Sequence, residues 1–187
     1  MKDIEVELKF PLLNALAVIR KLNKLAKVKR KKEYQKDTYF IPKHRNFLKV
    51  KPILEWLRIR ESKNSSSINY KNWHQDKDRK SVWCDEYESQ VKDIESLKKI
   101  FQALDIKEII VVEKFRDTWQ YKQAEIAVDK VSNLGTFIEL EAKGEFQDVN
   151  AAKLYLEQLL LELDAKVGSQ DFLGYPFHML KKAGVNI

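Results

Sequence analysis

Cysteine is almost absent from this chain, since Cys84 is the only one among 187 residues. A single thiol excludes an internal disulfide framework and a zinc site built from several thiolates. The sequence offers no evident partner that would activate Cys84 as a nucleophile, so we interpret it as a buried residue without a chemical role. The three histidines, His44, His74 and His178, lack the spacing of metal ligands, and we assign them to loops and the tail.

Long apolar segments are missing as well. No run approaches the roughly 18–20 residues that a membrane-spanning helix needs, and LLLEL at 159–163 belongs to an amphipathic pattern. Met1 is followed by KDIEVELKF, which has neither the apolar segment nor the small-residue cleavage site of a secretory signal. We therefore expect a cytoplasmic protein with no membrane partner.

Glycine and proline are scarce, with 5 and 4 residues, while 44% of the residues are hydrophobic and 34% are charged. This balance excludes a low-complexity or disordered chain. The length predicts one domain, residues 1–187, because domains usually have about 100–200 residues. The net charge of +7 predicts an anionic partner: nucleic acid, a membrane surface or a phosphorylated small molecule.

Periodicity predicts helices placed between runs of strands. The first helix has Pro11 at its start, Asp93 and Asp148 are the expected N-caps of the next two, and a turn with a short helix ends the chain. These helices cover 12–27, 94–104 and 149–165. Eight strand-like runs cover 4–10, 33–41, 54–62, 66–74, 81–91, 108–119, 124–131 and 135–143. The order predicts an α+β fold with mostly antiparallel pairing.

Charged and apolar residues alternate strictly in IEVELKF at 4–10. Successive side chains of a strand point to opposite faces, so Glu5, Glu7 and Lys9 share one face and the apolar residues share the other. The same separation recurs at Arg58 and Arg60, Lys71, Glu86 and Glu88, Lys114 and Arg116, Glu125 and Asp129, and Glu139 and Glu141.

The direction of these charged faces decides the architecture. If they pointed outward, the apolar faces would meet inside and the amphipathic helices would have no apolar surface to cover. If they point inward, the helices cover the outer faces, and the interior must be wet because unpaired buried ions cost several kcal/mol. We therefore predict an eight-stranded antiparallel closed barrel with a charged interior and amphipathic helices outside. A solvated sheet face with helices on its other side is the alternative.

Both signs of charge in one interior suggest a metal-bound polyphosphate as ligand. Carboxylates suit hard divalent cations, and arginine and lysine suit phosphate oxygens. EVELK at 5–9 fits an ExExK signature that is weak by itself. The further motifs are QKDTYF at 35–40, LRIRE at 57–61, YK at 70–71, EYE at 86–88, EKFR at 113–116, AVDKVSNLGTFIELE at 127–141 and GYPFHML at 174–180. In this order the set resembles the CYTH superfamily, the triphosphate tunnel metalloenzymes, over nearly the whole chain.

The resemblance implies a role for each charged set and a barrel of eight antiparallel strands open at both ends. The implied metal ligands, for one or two Mg²⁺ or Mn²⁺ ions, are Glu5, Glu7, Glu139 and Glu141. The implied triphosphate clamp is Lys9, Arg58, Arg60, Lys71, Lys114 and Arg116. The implied tunnel-wall residues, which orient the basic residues or assist a second metal, are Glu86, Glu88, Glu125 and Asp129.

Two reactions follow from the resemblance, because the superfamily includes class IV adenylyl cyclases as well as thiamine and inorganic triphosphatases. The VDKVSNLGTFIELE run and the tail with Tyr175 resemble the cyclase type, which converts ATP to cyclic AMP and pyrophosphate, although the residues after Tyr175 depart from its usual apolar ending. In triphosphatase members a lysine and a tyrosine activate water, and Lys9 with Tyr39 matches that pair. We expect cyclase-like activity, with hydrolysis of inorganic, thiamine or nucleoside triphosphate as the alternative.

A third interpretation is a non-catalytic module that binds polyphosphate or nucleic acid through KVKRKK at 27–32. We interpret that run as a solvated loop, so nucleic acid is not the expected partner. Trp56 and Trp73 share the charged strand faces and are expected at a tunnel mouth, whereas the other two tryptophans are expected to pack against the helices. The sequence leaves open a homodimer formed through an outer strand or helix.

Overall fold

The computed structural model describes residues 4–25, 31–75, 77 and 81–187, and its main feature is one curled antiparallel sheet. Residues 27–30 of the basic run and most of the predicted turn at 75–80 lie outside the described residues. The strand segments are β1 (Ile4–Glu5), β2 (Glu7–Pro11), β3 (Lys31–Pro42), β4 (Glu55–Ser62), β5 (Ser66–Gln75), β6 (Ser81–Gln90), β7 (Ile106–Tyr121), β8 (Ala124–Val131) and β9 (Gly135–Ala142). The helices are α1 (Ala15–Leu25), α2 (Ile94–Ala103), α3 (Val149–Glu162) and α4 (Gly174–Lys182), with a 3₁₀ turn at Phe47–Lys49.

The sheet returns to the strand from which it starts. Its order is β1-β6-β5-β4-β3-β7-β8-β9-β2, and each neighbouring pair is antiparallel. Val6 alone separates β1 from β2, so the two segments are halves of one strand that pairs with β6 on one side and β9 on the other. Counted in this way, the described residues form eight strands, and the predicted α+β fold with an antiparallel sheet is confirmed.

Apolar strand faces pack beneath the helices. Leu8 of β2 and Leu140 of β9 belong to one buried cluster with Val18 and Leu22 of α1 and Leu156 of α3. A smaller cluster lies under α2, and a third joins β3, β4 and β7 to α4. Burial of these residues contributes about 1.5–3 kcal/mol for each large aliphatic side chain. The outer faces of the strands therefore supply the apolar surface beneath α1, α2 and α3. The cluster beneath α4 lies on the inward faces instead, because Tyr39, Val112 and Phe137 share the strand parity of the cavity residues.

Two of the predicted helix starts are confirmed, and one is wrong. Asp93 and Asp148 cap α2 and α3 by accepting hydrogen bonds from the backbone N–H of Ser96 and of Ala151. Pro11 instead ends β2, opposite Phe137 of β9, because a proline is tolerated at the end of a strand where its missing N–H costs no ladder bond.

The first helix begins at Ala15, three residues later than predicted. Val18 and Leu22 are fully buried, whereas Leu16 is 74% exposed. Within the described ranges, no helix is both long enough and apolar enough to cross a membrane.

Candidate active site

A cavity of about 240 Å³ lies inside the curled sheet, and most of the residues that line it are charged. The lining side chains come from β1 to β9 and from residues 170–176, the segment that leads into α4. The inward positions are those of the alternating pattern, because the register of each strand keeps every second residue on the same face.

Carboxylates from the first strand and from β9 stand side by side across the seam of the sheet. The register places Glu7 opposite Glu141 and Lys9 opposite Glu139. Lys9 Nζ lies 3.0 Å from Glu7 and 3.1 Å from Glu139, so one lysine bridges two of the four expected metal ligands. The other two are also paired, Glu5 with Lys71 and Glu141 with Lys143.

The four carboxylates have unequal proton affinities. Burial raises the pKa of Glu7, and burial together with the nearby Glu5 raises the pKa of Glu141 to about 8. Burial acts on Glu139 in the same direction, but Arg116 and Lys9 outweigh it and hold the pKa of that carboxyl well below its usual range. Glu139 therefore loses its proton more readily than an ordinary glutamate, and Glu7 and Glu141 lose theirs less readily.

This donor set fits a hard divalent cation by its chemistry. Carboxylate oxygens are the ligands that Mg²⁺ and Mn²⁺ prefer, and a cation would relieve the burial of negative charge at Glu7 and Glu141. In the described part of the chain, no three aspartate, glutamate, histidine or cysteine residues are arranged to hold a metal ion. Lysine side chains form ion pairs with the carboxylates that a divalent cation would bind.

A second wall, which carries basic residues, is organised by two buried aspartates, Asp37 of β3 and Asp129 of β8. Asp37 accepts two hydrogen bonds of 2.7 Å from Arg60, and Arg58 lies 3.5 Å from the same carboxylate. Asp129 accepts bonds of 2.7 and 2.6 Å from Arg116. Forked pairs of this kind fix the plane of the guanidinium as well as its position.

Asp37 and Asp129 lie behind the lining rather than in it. Both side chains are 1% exposed, and neither belongs to the residues that line the cavity. Burial would raise the pKa of Asp37, but Arg60 and Arg58 lower it far below its ordinary value. Arg116 and Lys114 lower the pKa of Asp129 against the same effect of burial. Both aspartates are therefore ionised supports for the basic side chains.

Tyr175 of α4 connects the two walls. Its hydroxyl donates a 2.9 Å hydrogen bond to Asp129, and its ring lies 4.9 Å from Lys9 Nζ and 5.2 Å from Lys114 Nζ. The lysine that we paired with Tyr39 therefore lies against a different tyrosine. Tyr39 lines the cavity too, but it packs edge-on against Trp56, and Arg58 lies beside its hydroxyl.

The predicted site residues converge on this cavity with one exception. Asp129, expected in the wall, stands behind it and supports Arg116. The residues of the prediction that line the cavity are Glu5, Glu7, Lys9, Tyr39, Arg58, Arg60, Lys71, Glu86, Glu88, Lys114, Arg116, Glu125, Glu139 and Glu141.

Sequence reasoning missed Asp37, although it lies in QKDTYF and shares the inward face of Tyr39. Strand parity was the available signal. It also missed Asp171, which lines the cavity and accepts a 2.9 Å hydrogen bond from His178. No strand pattern covers Asp171, because it precedes α4 in irregular chain.

The tryptophans and the cysteine lie in apolar or buried surroundings. Trp56 and Trp73 line the cavity on the charged strand faces, and Trp56, 7% exposed, belongs to the apolar cluster that includes Tyr175. Trp119 is buried in the core as expected. Cys84 is buried, and its thiol donates a 3.2 Å hydrogen bond to Glu5.

Comparison with known proteins agrees with this geometry. The family model of the CYTH domain matches residues 3–169. A Methanocaldococcus jannaschii protein named "Putative adenylate cyclase MJ0240" is 33% identical over 168 residues, which are 90% of this chain and 92% of that protein. The solved structure of the PH1819 protein from Pyrococcus horikoshii has a TM-score of 0.80 and 29% identity, and the match covers 95% of this chain and 99% of that one.

A plant structure shares the fold at lower identity. HpAC1 from Hippeastrum, described as a "putative adenylyl cyclase" that reveals a dominant triphosphatase activity, has a TM-score of 0.63 and 15% identity. The match covers 98% of this chain and 97% of that one. At this identity the similarity shows the fold alone.

Proposed function

The chain belongs to the CYTH domain family, and from this premise we propose that it is a divalent-metal-dependent enzyme that converts ATP to cyclic AMP and pyrophosphate. The observation that carries the proposal is that the six basic residues of the expected clamp and the four expected metal ligands line one cavity. The name of the M. jannaschii relative supports the choice of reaction.

The cationic wall would bind and orient the triphosphate. Arg58, Arg60 and Arg116 are held by buried aspartates, so their guanidinium groups are already positioned when the ligand arrives. Preorganised donors of this kind stabilise charge that develops on phosphoryl oxygens without reorganising during the reaction. Lys9 and Lys71 would add positive charge from the metal side of the cavity.

The carboxylate wall would hold Mg²⁺ or Mn²⁺ through Glu5, Glu7, Glu139 and Glu141. A bound divalent cation supplies Lewis-acid stabilisation of phosphoryl oxygens and of the leaving group. Lys9 and Lys71, which now pair with these carboxylates, would then turn their ammonium groups toward the phosphates.

The size of the cavity supports a position for the rest of the substrate outside it. Pockets that enclose a drug-sized ligand have about 300–1,000 Å³, whereas this cavity has about 240 Å³. It therefore suits the phosphate chain better than a whole nucleotide. In the proposed complex the nucleoside lies outside the charged part of the cavity.

The small volume of the cavity also favours a second candidate, the hydrolysis of a triphosphate. A cavity that encloses only the phosphate chain does not select the group attached to that chain. Lys9 would then orient the attacking water, with Tyr175 rather than Tyr39 beside it. The Hippeastrum protein supports this candidate, since it joins a cyclase name to triphosphatase activity.

Parallel incubations with two substrates separate these functions. The protein is mixed with ATP, and separately with inorganic triphosphate, in Mn²⁺ or Mg²⁺, and the products are resolved. Cyclic AMP with pyrophosphate supports the cyclase, and ADP with phosphate, or turnover of inorganic triphosphate, supports the hydrolase. Binding without turnover of either compound contradicts both and indicates a non-catalytic module.

Two matched variants test whether the activity belongs to this cavity. E5Q should abolish metal-dependent turnover because it removes an expected metal ligand, whereas E95Q, on the exposed surface of α2, should keep it. Turnover by E5Q at the wild-type rate would contradict the metal assignment.

A further inference from the structure

Lys114 occupies the centre of the cationic wall, between the two aspartate–arginine pairs. Its side chain is 2% exposed, and its Nζ lies 3.5 Å from Asp129 and 3.8 Å from Asp37. Both distances exceed the 2.7–3.2 Å range of an ordinary N–H···O hydrogen bond. The ammonium group therefore has carboxylates nearby but no short charge-assisted bond to either of them.

Both carboxylates already accept hydrogen bonds from arginine side chains. Arg60 donates two hydrogen bonds to Asp37, and Arg116 donates two to Asp129. Arginine does not lose its proton in proteins. When positive charge in this wall exceeds the negative charge, Lys114 is the group that gives up a proton.

Groups from several elements set the charge of Lys114. Those facing it are Asp37 of β3, Arg60 of β4, Arg116 of β7, Asp129 of β8, Glu139 of β9 and the Tyr175 ring of α4. Burial and the two arginines outweigh the aspartates and lower the pKa of Lys114 to about 7. The lysine thus sits near its titration point around neutral pH.

Lys71 provides a contrast within the same cavity. Its Nζ bonds to Glu5 and lies 3.6 Å from Glu7 and 3.7 Å from Glu86. Burial opposes its charge, but Glu5 and Glu7 outweigh burial and raise the pKa of Lys71 well above its ordinary value. One cavity therefore holds a lysine that stays charged and a lysine that titrates near neutral pH.

We propose that Lys114 takes up a proton from solvent when a triphosphate enters the cavity, so that the ligand itself completes the cationic clamp. The inference rests on the proposed function, since it requires a polyphosphate ligand. A triphosphate brings several negative charges next to Lys114, and this favours the ammonium form. The free amine and a solvent proton become the ammonium ion, and no bond other than N–H is formed.

This linkage makes affinity depend on pH in one direction. Below about pH 7 Lys114 is already charged and binding takes up no proton there. Above that value each binding event takes up one proton from solvent, so the dissociation constant should rise by up to about tenfold for each pH unit. The site thereby selects for ligands with enough charge to protonate Lys114, favouring triphosphates over monophosphates.

Isothermal titration with inorganic triphosphate in EDTA, which prevents metal-dependent turnover, tests the inference. Titrations at pH 8.5 in two buffers with different ionisation enthalpies give the number of protons taken up. The wild-type protein should take up close to one proton more than K114M. The ligand's own protonation is the same in both titrations and cancels in the comparison. K71M is the matched control and should bind more weakly with the same proton uptake as the wild type.

The outcomes are distinguishable. Equal proton uptake by wild type and K114M overturns the role of Lys114 while leaving the proposed function intact. Absence of binding by the wild-type protein in EDTA at any pH overturns this inference, whereas the proposed function is overturned only by the absence of turnover with metal present. If K114M does not fold, K114R serves instead, because a permanently charged side chain must also abolish the extra proton.

Discussion

Asp37 of β3 and Arg60 of β4 stand opposite each other in the sheet, and Nε and Nη2 of the arginine each donate a 2.7 Å hydrogen bond to one oxygen of the carboxylate. The aspartate is fully buried, whereas the arginine faces the cavity. Asp129 and Arg116 repeat the arrangement on β8 and β7. The basic residues of the cavity are therefore part of the buried structure and do not depend on a ligand for their positions.

The first prediction concerns this support. D37N should destabilise the protein by about 3–5 kcal/mol, because it leaves Arg58 and Arg60 without their buried counter-charge. Urea denaturation measures the change. D164N is the control, since Asp164 is an exposed partner of Lys21 and its loss should change stability by no more than about 0.5 kcal/mol. Equal stability of the two variants would contradict the supporting role.

Low pH should remove the contribution of Asp37 to the free energy of unfolding. Because the folded-state pKa of Asp37 is lowered, its contribution to stability is present above the unfolded value of about 3.8 and is lost as pH falls further. The difference in unfolding free energy between wild type and D37N should therefore be constant from pH 7 to about pH 5 and shrink below about pH 4. A difference that grows in acid would refute the assignment.

The effect of Glu141 on stability should depend on pH in the opposite direction. Its folded-state pKa is raised to about 8, so the unfolded chain gives up the proton at lower pH than the folded chain. Ionisation of Glu141 then opposes folding increasingly from about pH 4.5 to pH 8 and levels off above. E141Q should be more stable than the wild type at pH 9, by up to about 5 kcal/mol, and equal to it at pH 4. A variant that is less stable at pH 9 would show that its pairing with Lys143 dominates.

Metal should stabilise the wild-type protein through the same carboxylates. At a hundredfold excess of Mn²⁺ over its dissociation constant, ligand binding to the folded state adds about 2.7 kcal/mol. E5Q should lose most of this increase in thermal midpoint, whereas E95Q should keep it. The measurement is a thermal melt with and without Mn²⁺ at pH 7.5, and an undiminished shift in E5Q would exclude Glu5 as a ligand.

Strand alternation was enough to predict the inward faces of the barrel, because it reports on faces without requiring the strand order. Glu5, Glu7, Glu139 and Glu141 line one cavity as their parity predicts. The helix caps at Asp93 and Asp148 are equally local, since a cap is made with residues three positions away.

Features that depend on neighbours across the sheet could not be predicted in this way. Asp37 became recognisable as a support only when β3 was found between β4 and β7, which brings Arg60 and Lys114 to it from either side. The pairing of Lys9 with Tyr175 depends on where α4 docks. The start of α1 was misplaced because Pro11 suits both the first turn of a helix and the end of a strand.

The interruption at Val6 gives the first strand a special place in the order of folding. Its two halves pair with β6 and β9, so Glu7 meets Glu141 only after nearly all of the intervening chain is in place. Contacts this distant in sequence are slow to form. During synthesis β1 can pair with β6 as soon as β6 is made, whereas β2 has no β9 to pair with until the last strand of the sheet is made. A partly made chain therefore carries the acidic half of the cavity in two separate pieces, and the chemistry of the site appears only when the sheet closes.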